Sequence, residues 1–224
     1  MFKIAIDGPS GAGKSTLAKN LAKELGFIYV DTGAMYRTIG LAASRRNITP
    51  DDTAGIEKML DGITLRIVYE NGSQRELLNG EDVTDYIRTP EISTYASKVS
   101  AIPAVRAFLL GVQRDFADNY NVIMDGRDIG TVIMPNADVK IFLVSGEQAR
   151  AKRRNEELIA KGENVTYESV LSDLIARDDR DSSRKTAPAI PAQDAIFVDN
   201  SELLPEQTLE LVLGIINKVI NKEN

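Results

Sequence analysis

A glycine-rich loop near the start of the chain constrains its fold more than any other segment. It reads Gly8-Pro9-Ser10-Gly11-Ala12-Gly13-Lys14-Ser15-Thr16 and matches the pattern G-x-x-x-x-G-K-[ST]. Glycines let the main chain curl so that successive N–H groups converge on the oxygens of a polyphosphate. Lys14 adds a positive charge beside the β- and γ-phosphates, and the Ser15 hydroxyl is placed to ligate Mg²⁺. The loop predicts a nucleotide site, and the alternative is a glycine-rich turn without a ligand.

The segments on either side of this loop favour the nucleotide site. Phe2–Asp7 is a short apolar run that predicts a buried strand. After the loop, apolar residues recur at helical spacing until Gly26, which predicts a helix that ends there: Leu17, Ala18, Leu21, Ala22 and Leu25. A phosphate on such a loop would lie at a helix N-terminus, where the helix dipole favours negative charge.

Further short apolar segments alternate with helical ones along the chain. Strands are predicted at Phe27–Val30, Asn121–Asp125, Val139–Val144 and Ala195–Asp199. Helices are predicted from Ala34 to about Arg46, from Pro103 to Tyr120 and from Pro205 to about Asn221. This order predicts an α/β fold of the P-loop NTPase type, a doubly wound parallel sheet with helices on both faces. With 224 residues, we expect a single domain over 1–224.

One stretch departs from this order. Asn71-Gly72 and Asn79-Gly80 are typical hairpin turns, and the preceding stretch alternates Ile63, Leu65, Ile67 and Tyr69 with Thr64, Arg66 and Val68. Residues 63–88 therefore predict a small antiparallel β insertion attached to the α/β core.

Composition excludes several classes of protein. The net charge of −6 argues against binding to a nucleic-acid polymer, which needs an extended basic surface. Cysteine is absent, and no apolar run has the length of a membrane span, so the expectation is a cytoplasmic protein without membrane contact. Histidine, the usual general base, is also absent. Catalysis would then rest on positioning and electrostatics, as phosphoryl transfer does.

Asp31-Thr32-Gly33-Ala34-Met35-Tyr36-Arg37 follows the second predicted strand. In a doubly wound sheet it would lie at the carboxyl edge, where ligands bind. Asp31, Tyr36 and Arg37 offer a carboxylate, an aromatic ring and a guanidinium within about two helical turns. Alternatively, Asp31 only caps the helix and Arg37 is a solvated surface residue.

Asp125-Gly126-Arg127-Asp128 ends the third predicted strand, again at the carboxyl edge. Asp125 resembles the Walker B carboxylate that supports Mg²⁺. Arg127 can hold a phosphate with two parallel hydrogen bonds, and Asp128 can accept from an exocyclic amine. The alternative is an acidic turn.

Two charged segments lie further along the chain. Residues 177–185, Arg177-Asp178-Asp179-Arg180-Asp181-Ser182-Ser183-Arg184-Lys185, either reach a sugar phosphate or form a solvated helix face. Upstream, a basic helix starts with Arg150, Lys152, Arg153 and Arg154 and reaches about Lys161-Gly162. Residues 147–165 are a candidate lid over ATP, and the alternative is ordinary surface.

Taken together, these motifs resemble the bacterial cytidylate kinases, a P-loop nucleoside monophosphate kinase family. The similarity covers essentially the whole chain, and four motifs occur in the family's order: Ile6 to Ser15, Asp31 to Arg37, Asp125 to Thr131 and Arg177 to Asp181. Residues 63–88 resemble the family's CMP-binding subdomain. Some members carry Gly where this chain has Ser15, which supplies the usual hydroxyl for Mg²⁺.

The resemblance implies that ATP, with Mg²⁺, donates a phosphoryl group to CMP or dCMP. It implies that Lys14, Arg37 and Arg127 are catalytic, that the loop from Gly8 to Thr16 and Arg153 bind ATP, and that Ser15 and Asp125 hold the metal. The residues implied in CMP binding are Ser10, Asp31, Tyr36, Arg37, Ser97, Arg106, Arg127, Asp128, Arg177, Asp181 and Arg184.

Two alternatives remain at this point. One is another small P-loop kinase that acts on a different monophosphate or on a metabolite alcohol. The other is a nucleotide-dependent switch without transferase activity. A monomer is expected, because no sequence feature demands an oligomer.

Overall fold

The structure is a computed structural model, and it describes residues 1–70, 72–160 and 162–221. The strands in these residues are β1 (Lys3–Asp7), β2 (Ile28–Asp31), β3 (Leu65–Glu70), β4 (Ser73–Leu78), β5 (Glu81–Asp82), β6 (Val122–Asp125), β7 (Val139–Val144) and β8 (Ile196–Asp199).

The α-helices in the same residues are α1 (Lys14–Leu25), α2 (Thr32–Ser44), α3 (Thr53–Leu60), α4 (Pro90–Val99), α5 (Pro103–Asn119), α6 (Glu147–Ala160), α7 (Tyr167–Ser183) and α8 (Pro205–Ile220). A π-helical turn, Ile129–Ile133, follows β6. Its backbone ladder is looser than that of an α-helix, and such turns are frequent at functional sites.

The central sheet has five strands in the order β2-β6-β1-β7-β8. β1 pairs in parallel with both β6 and β7, and β7 pairs in parallel with β8. Because these strands run the same way, the acidic residues that end β1, β6 and β8 lie at the same edge of the sheet: Asp7, Asp125 and Asp199. This edge is where an open parallel sheet binds its ligands.

The chain forms two compact units, one from 1–29 and 120–224 and the other from 30–119. In the first unit, α1 and α8 pack with the sheet around a buried core that includes Ile4, Leu21, Ile123 and Ile141. β1, β6 and β7 are largely buried on both faces, which explains their near-continuous apolar sequence, whereas the edge strand β8 exposes Ile196 and Phe197.

The second unit has a separate core around Met35, Ile39, Ile56 and Leu109. α2 packs against α4, and α2 also contacts β4 of the three-stranded sheet β3-β4-β5. In that antiparallel sheet Leu65 pairs with Leu78, and both are buried on the face that packs inward.

The structure confirms the predicted α/β class and the antiparallel insertion. The second helix begins two residues earlier than expected, since Asp31 ends β2 and also caps α2. The sequence interpretation missed α3, α4, the part of α7 that precedes the 177–185 charge run, and the π-helical turn, although Asp52, Thr89 and Thr166 are ordinary N-caps. Two predicted positions, Asn71 of the hairpin turn and Lys161 at the end of the basic helix, lie outside the described residues.

Candidate active site

The phosphate loop joins β1 directly to α1. Gly13 adopts φ 87° and is the residue before α1, so the first helical N–H groups face the loop. Gly8 has φ 147°, and a Cβ there would lie 2.3 Å from the Leu143 carbonyl oxygen. The Asn200 side chain fixes the loop from the other side, because its Nδ2 donates to the Ala12 carbonyl at 2.9 Å. The loop is therefore a rigid backbone cradle of the kind that binds phosphates.

Lys14 is buried in this loop, and its Nζ donates to the Pro9 carbonyl at 2.6 Å. Burial lowers the pKa of Lys14 well below its usual range, and the charges of Arg127 and Arg177 lower it further. Asp125 and Asp7 act in the opposite direction. An excess of positive charge in a buried place favours an anion, and a polyphosphate supplies one.

Oxygen atoms suited to Mg²⁺ meet at the end of β6. The Ser15 hydroxyl donates to Asp125 Oδ2 at 2.7 Å, and the Tyr29 hydroxyl donates to Asp125 Oδ1 at 2.8 Å. The described residues contain no cluster of three or more acidic, histidine or cysteine side chains that could hold a metal. One carboxylate and one hydroxyl nevertheless fit Mg²⁺, which usually takes one or two protein ligands together with substrate phosphates and waters.

Two helices hold the main chain of Ser10 through an ion pair. Asp178 of α7 accepts from the Ser10 N–H at 2.9 Å, and Arg150 of α6 donates to the Ser10 carbonyl at 2.8 Å. Arg150 and Asp178 also bind each other, and Arg150 is 3% exposed. The sequence interpretation placed Arg150 on a candidate lid and gave Asp178 no role, because nothing in the spacing showed that both reach the loop.

A buried cluster of alternating charges links the Asp125–Asp128 motif to α7. Arg127 Nε donates to Asp181 Oδ2 at 2.9 Å, and Arg184 lies 3.3 Å from Asp128 and 3.9 Å from Asp181. The side chains of Asp128, Asp181 and Arg184 are at most 7% exposed. Asp181 and Arg184, which belong to the 177–185 charge run, are therefore not part of a solvated helix face. Arg177 is half-buried, and its charge reaches Lys14.

Asp7 fixes the turn that carries Asp128. Its two carboxylate oxygens accept the N–H groups of Ile129 and Gly130, each at 2.8 Å. Burial raises the pKa of Asp7 to about 6, against the lowering effect of these two hydrogen bonds. The sequence analysis placed Asp7 in the first strand and in the first motif but gave it no role; its position at the carboxyl end of β1 was the available signal.

In the second unit, Asp31 organises the start of α2. Its side chain accepts from the Ala34 N–H at 2.9 Å and from the Arg37 guanidinium at 2.8 Å. Arg88 Nη2 lies 3.6 Å from the same carboxylate. The capping role weighed for Asp31 is thus real, but the Arg37 side chain is only 19% exposed and is not a solvated surface group.

Tyr36, Arg106 and Ser97 are also in the second unit. The Arg106 guanidinium lies over the Tyr36 ring, 5.5 Å from its centroid, and donates to the Ser100 carbonyl at 3.0 Å. The Ser97 hydroxyl is buried and has no hydrogen-bond partner among the residues that the structure covers. An unsatisfied buried hydroxyl is costly, so it marks a place where a ligand group can bind.

Two further arginines of the basic helix α6, Arg153 and Arg154, have different surroundings. Arg153 donates to the carbonyls of Asn200 and Ser201 at 2.7 and 3.1 Å. Arg154 pairs with Glu157 in an exposed position. Arg153 is thereby connected to Asn200, which holds the phosphate loop.

Comparison with known proteins settles the family. The family model described as cytidylate kinase matches residues 4–218. The chain belongs to the cytidylate kinase family. This result confirms the resemblance deduced from the four motifs.

Relatives that match this chain over nearly their whole length are also described as cytidylate kinases. It is 47% identical to the cytidylate kinase of Carboxydothermus hydrogenoformans, over 97% of this chain and 98% of that protein. It is 50% identical to the cytidylate kinase of Caldicellulosiruptor saccharolyticus, over 99% of this chain and 98% of that protein. In fold it is similar to an uncharacterized protein of Eubacterium ventriosum, with a TM-score of 0.51, 12% identity and coverage of 97% and 99% of the two chains.

No helix within the described ranges combines the length and apolarity that a membrane crossing needs.

Proposed function

We propose that this member of the cytidylate kinase family transfers the γ-phosphoryl group of ATP to CMP or dCMP, giving ADP and CDP or dCDP. One observation carries the proposal. The unit that contains the phosphate loop also contains the buried cluster of Arg127, Asp181, Arg184 and Asp128, and Arg127 is near enough to Lys14 to lower its pKa. The proposed triphosphate site and the proposed charged site for a second ligand would therefore be electrostatically connected.

The donor side uses the phosphate loop. The main-chain N–H groups of residues 8–16 would cradle the ATP phosphates, with Lys14 on the β- and γ-phosphates. Ser15 and Asp125 would hold Mg²⁺, which when bound neutralises developing charge on the phosphate oxygens. Arg153 remains a proposed ATP contact, and residues 147–165 remain a proposed lid.

The acceptor side is proposed mainly from the motif residues. We assign the CMP phosphate to Ser10, Arg37 and Arg127. The nucleoside would contact Asp31 and Tyr36, and the remaining proposed contacts are Ser97, Arg106 and Asp128 for cytosine and Arg177, Asp181 and Arg184 for the sugar side. Two buried atoms without partners in the described structure, Ser97 Oγ and Arg37 Nε, support these assignments.

Cytosine matches the polar groups offered to it. Its N4 amine donates and its N3 and O2 accept, so a carboxylate such as Asp128 and a guanidinium such as Arg106 are complementary to it. Uracil has a carbonyl in place of the amine and would turn an acceptor towards Asp128. An unpaired buried polar group of this kind costs about 1–3 kcal/mol.

The reaction needs no side-chain nucleophile. An oxygen of the CMP phosphate forms a bond to the γ-phosphorus of ATP, the bond from that phosphorus to the bridging oxygen of ADP breaks, and ADP leaves with the electron pair. Lys14, Arg37 and Arg127 would offset the charge that builds up on the phosphoryl oxygens. This agrees with a chain that lacks histidine.

A panel of acceptors tests the proposal. ADP release is measured with CMP, dCMP, UMP and AMP, with and without Mg²⁺. We expect CMP and dCMP to be used with the highest kcat/KM and activity to require Mg²⁺. Turnover of another monophosphate or of a small alcohol alone would identify a different P-loop kinase. Slow ATP hydrolysis that CMP does not change would indicate a nucleotide-dependent switch. A cytoplasmic location and a monomeric state remain predictions.

A further inference from the structure

The antiparallel insertion carries a carboxyl group, that of Glu76, on the buried face of its sheet. On one face of β3 and β4, Ile67 pairs with Glu76 and Tyr69 pairs with Gln74, next to the buried pair of Leu65 and Leu78. Glu76 is 1% exposed. A carboxyl group in this position is unfavourable unless it makes specific interactions, because burial removes it from water.

The partner of Glu76 is the side-chain amide of Gln74, which in turn holds Asp31. Gln74 Oε1 accepts from the Asp31 N–H at 2.8 Å, and Gln74 Nε2 donates to the Asp31 carbonyl at 3.2 Å. Nε2 also donates to Glu76 Oε1. The amide thus binds the edge of β2 as a peptide group of a neighbouring strand would, and each of its two N–H bonds has an acceptor.

Glu76 determines which way this amide faces. Asp31 fixes one N–H of Gln74 and Glu76 Oε1 fixes the other, so the amide has one orientation that satisfies every partner. The Tyr69 hydroxyl lies 3.5 Å from Gln74 Oε1 and adds a weak contact on the same side. Without the acceptor at Glu76, the second N–H would be a buried donor with no partner.

Gln74 binds the main chain of Asp31, and the side chain of Asp31 pairs with Arg37. The Asp31 carboxylate caps α2 through Ala34 and pairs with Arg37, so a shift of the Asp31 main chain moves both contacts. Arg37 Nε and Glu76 Oε2 are buried without a hydrogen-bond partner in the described structure. Arg37 therefore keeps donor capacity for an anion after pairing with Asp31.

We propose that Glu76 is a positioning residue for acceptor binding, which acts through Gln74 on the main chain of Asp31 and so on the Asp31–Arg37 pair. The inference rests on the proposed function, because it takes Asp31 and Arg37 as acceptor-binding residues. It adds a residue outside the four motifs, and it gives the insertion a role in setting the geometry of α2.

Charges around Glu76 make this positioning depend on pH. The pKa of Glu76 is raised to about 7 as a net result: burial raises it most and the charge of Asp31 also raises it, whereas the Gln74 hydrogen bond and the charges of Arg37 and Arg88 lower it. The pKa of Tyr69 is also raised, by burial and by Glu76 and Asp31, so Tyr69 stays neutral in this range. Above the pKa of Glu76 its negative charge competes with an acceptor phosphate for Arg37.

The test uses Glu76→Val, Glu76→Gln and the matched control Glu70→Gln, whose side chain on the same insertion is 62% exposed. KM for CMP, KM for ATP and kcat are measured at pH 6, 7 and 8. Hydrogen exchange at the Asp31 amide is followed in each protein without nucleotide. The exchange measurement does not depend on activity.

We expect Glu76→Val to raise KM for CMP about tenfold, the loss of one buried hydrogen bond, while KM for ATP stays within about twofold. Glu76→Gln keeps an acceptor for Gln74 and is expected to restore a low KM for CMP. The KM for CMP of the wild type is divided by that of Glu76→Gln at each pH, because the titration of CMP itself affects both values equally and cancels. We expect this ratio to rise about threefold or more from pH 6 to pH 8. The Asp31 amide is expected to exchange faster in Glu76→Val than in the control.

Three results would overturn the proposal. In the first, Glu76→Val matches Glu70→Gln in both KM for CMP and exchange at the Asp31 amide. In the second, Glu76→Val raises KM for ATP and KM for CMP equally. In the third, the ratio of wild-type to Glu76→Gln KM for CMP does not change between pH 6 and pH 8. If Glu76→Val does not fold, Gln74→Leu and the Glu76→Gln pH profile decide in its place. If the wild type uses no nucleoside monophosphate, the proposed function fails, and unchanged Asp31 exchange would then overturn the positioning role separately.

Discussion

The buried carboxyl group of Asp7 predicts a specific dependence of stability on pH. It is 4% exposed, and burial raises its pKa from 3.8 to about 6. Below the ordinary pKa, folded and unfolded chains both carry the proton, so the full contribution to stability is present. It is lost as the pH rises through about 6, because the folded chain must then hold a buried charge.

The magnitude follows from the two pKa values. Between pH 4.5 and pH 7.5 the wild type should lose about 2 kcal/mol of unfolding free energy through this group alone, given about 1.4 kcal/mol per unit of pKa difference. Asp7→Asn removes the titration. It also leaves one of the N–H groups of Ile129 and Gly130 without an acceptor, because an amide offers one oxygen. That second effect, about 1–3 kcal/mol, is independent of pH.

Urea unfolding followed by circular dichroism measures both effects, since the chain has no tryptophan. We expect Asp7→Asn to be clearly less stable than the wild type at pH 4.5 and the gap to shrink by about 2 kcal/mol at pH 7.5. Asp61→Asn, at an exposed position, is the matched control and should follow the wild type. If the gap between wild type and Asp7→Asn is the same at both pH values, the reasoning about a buried, protonated Asp7 is wrong.

Three further substitutions test the site. Gly8→Ala places a Cβ 2.3 Å from the Leu143 carbonyl oxygen, so we expect kinase activity to fall by about 100-fold or more, whereas Gly214→Ala, with open space around it, should be neutral in the same assay. Asp128→Ala should reduce the preference for CMP over UMP by about tenfold or more in kcat/KM while KM for ATP is unchanged; full discrimination in the variant would refute the assignment of Asp128 to cytosine. Ser15→Ala should raise the Mg²⁺ concentration needed for half-maximal activity by about tenfold, and an unchanged Mg²⁺ titration would remove Ser15 from the metal site.

Local patterns were sufficient for the architecture. Short apolar segments alternate with amphipathic helices, and a phosphate loop joins the first strand to the first helix. This order indicates a parallel α/β sheet, because each element can be recognised from the spacing of its own apolar residues and from the turn beside it. The insertion was predicted for the same reason, since alternation and Asn-Gly turns are local signals. Short elements such as α3 and α4 were missed because they have few turns on which a period could show.

Contacts across long sequence separations were beyond the sequence. Arg150 and Asp178 hold Ser10 from 140 and 168 residues away, and Arg127 meets Asp181 across 54 residues. No spacing rule relates such positions, because the fold and not the chain brings them together. The four motifs could therefore name the charged residues of the site but not their partners.

By itself, then, the sequence determined the phosphate loop, the α/β fold and the membership in the cytidylate kinase family, since these depend on local geometry and on motifs in order. The tertiary structure decided which charges are buried and what each of them holds. Glu76 lies outside the four motifs, and Asp7, although inside the first of them, had no role assigned from the sequence. Burial raises the pKa of both carboxyl groups, and the fold connects Asp7 to the turn after Asp128 and connects Glu76, through Gln74, to Asp31. The physical reason is that burial and pairing are properties of packing, and they control the energy of a charge more strongly than its neighbours in the chain do.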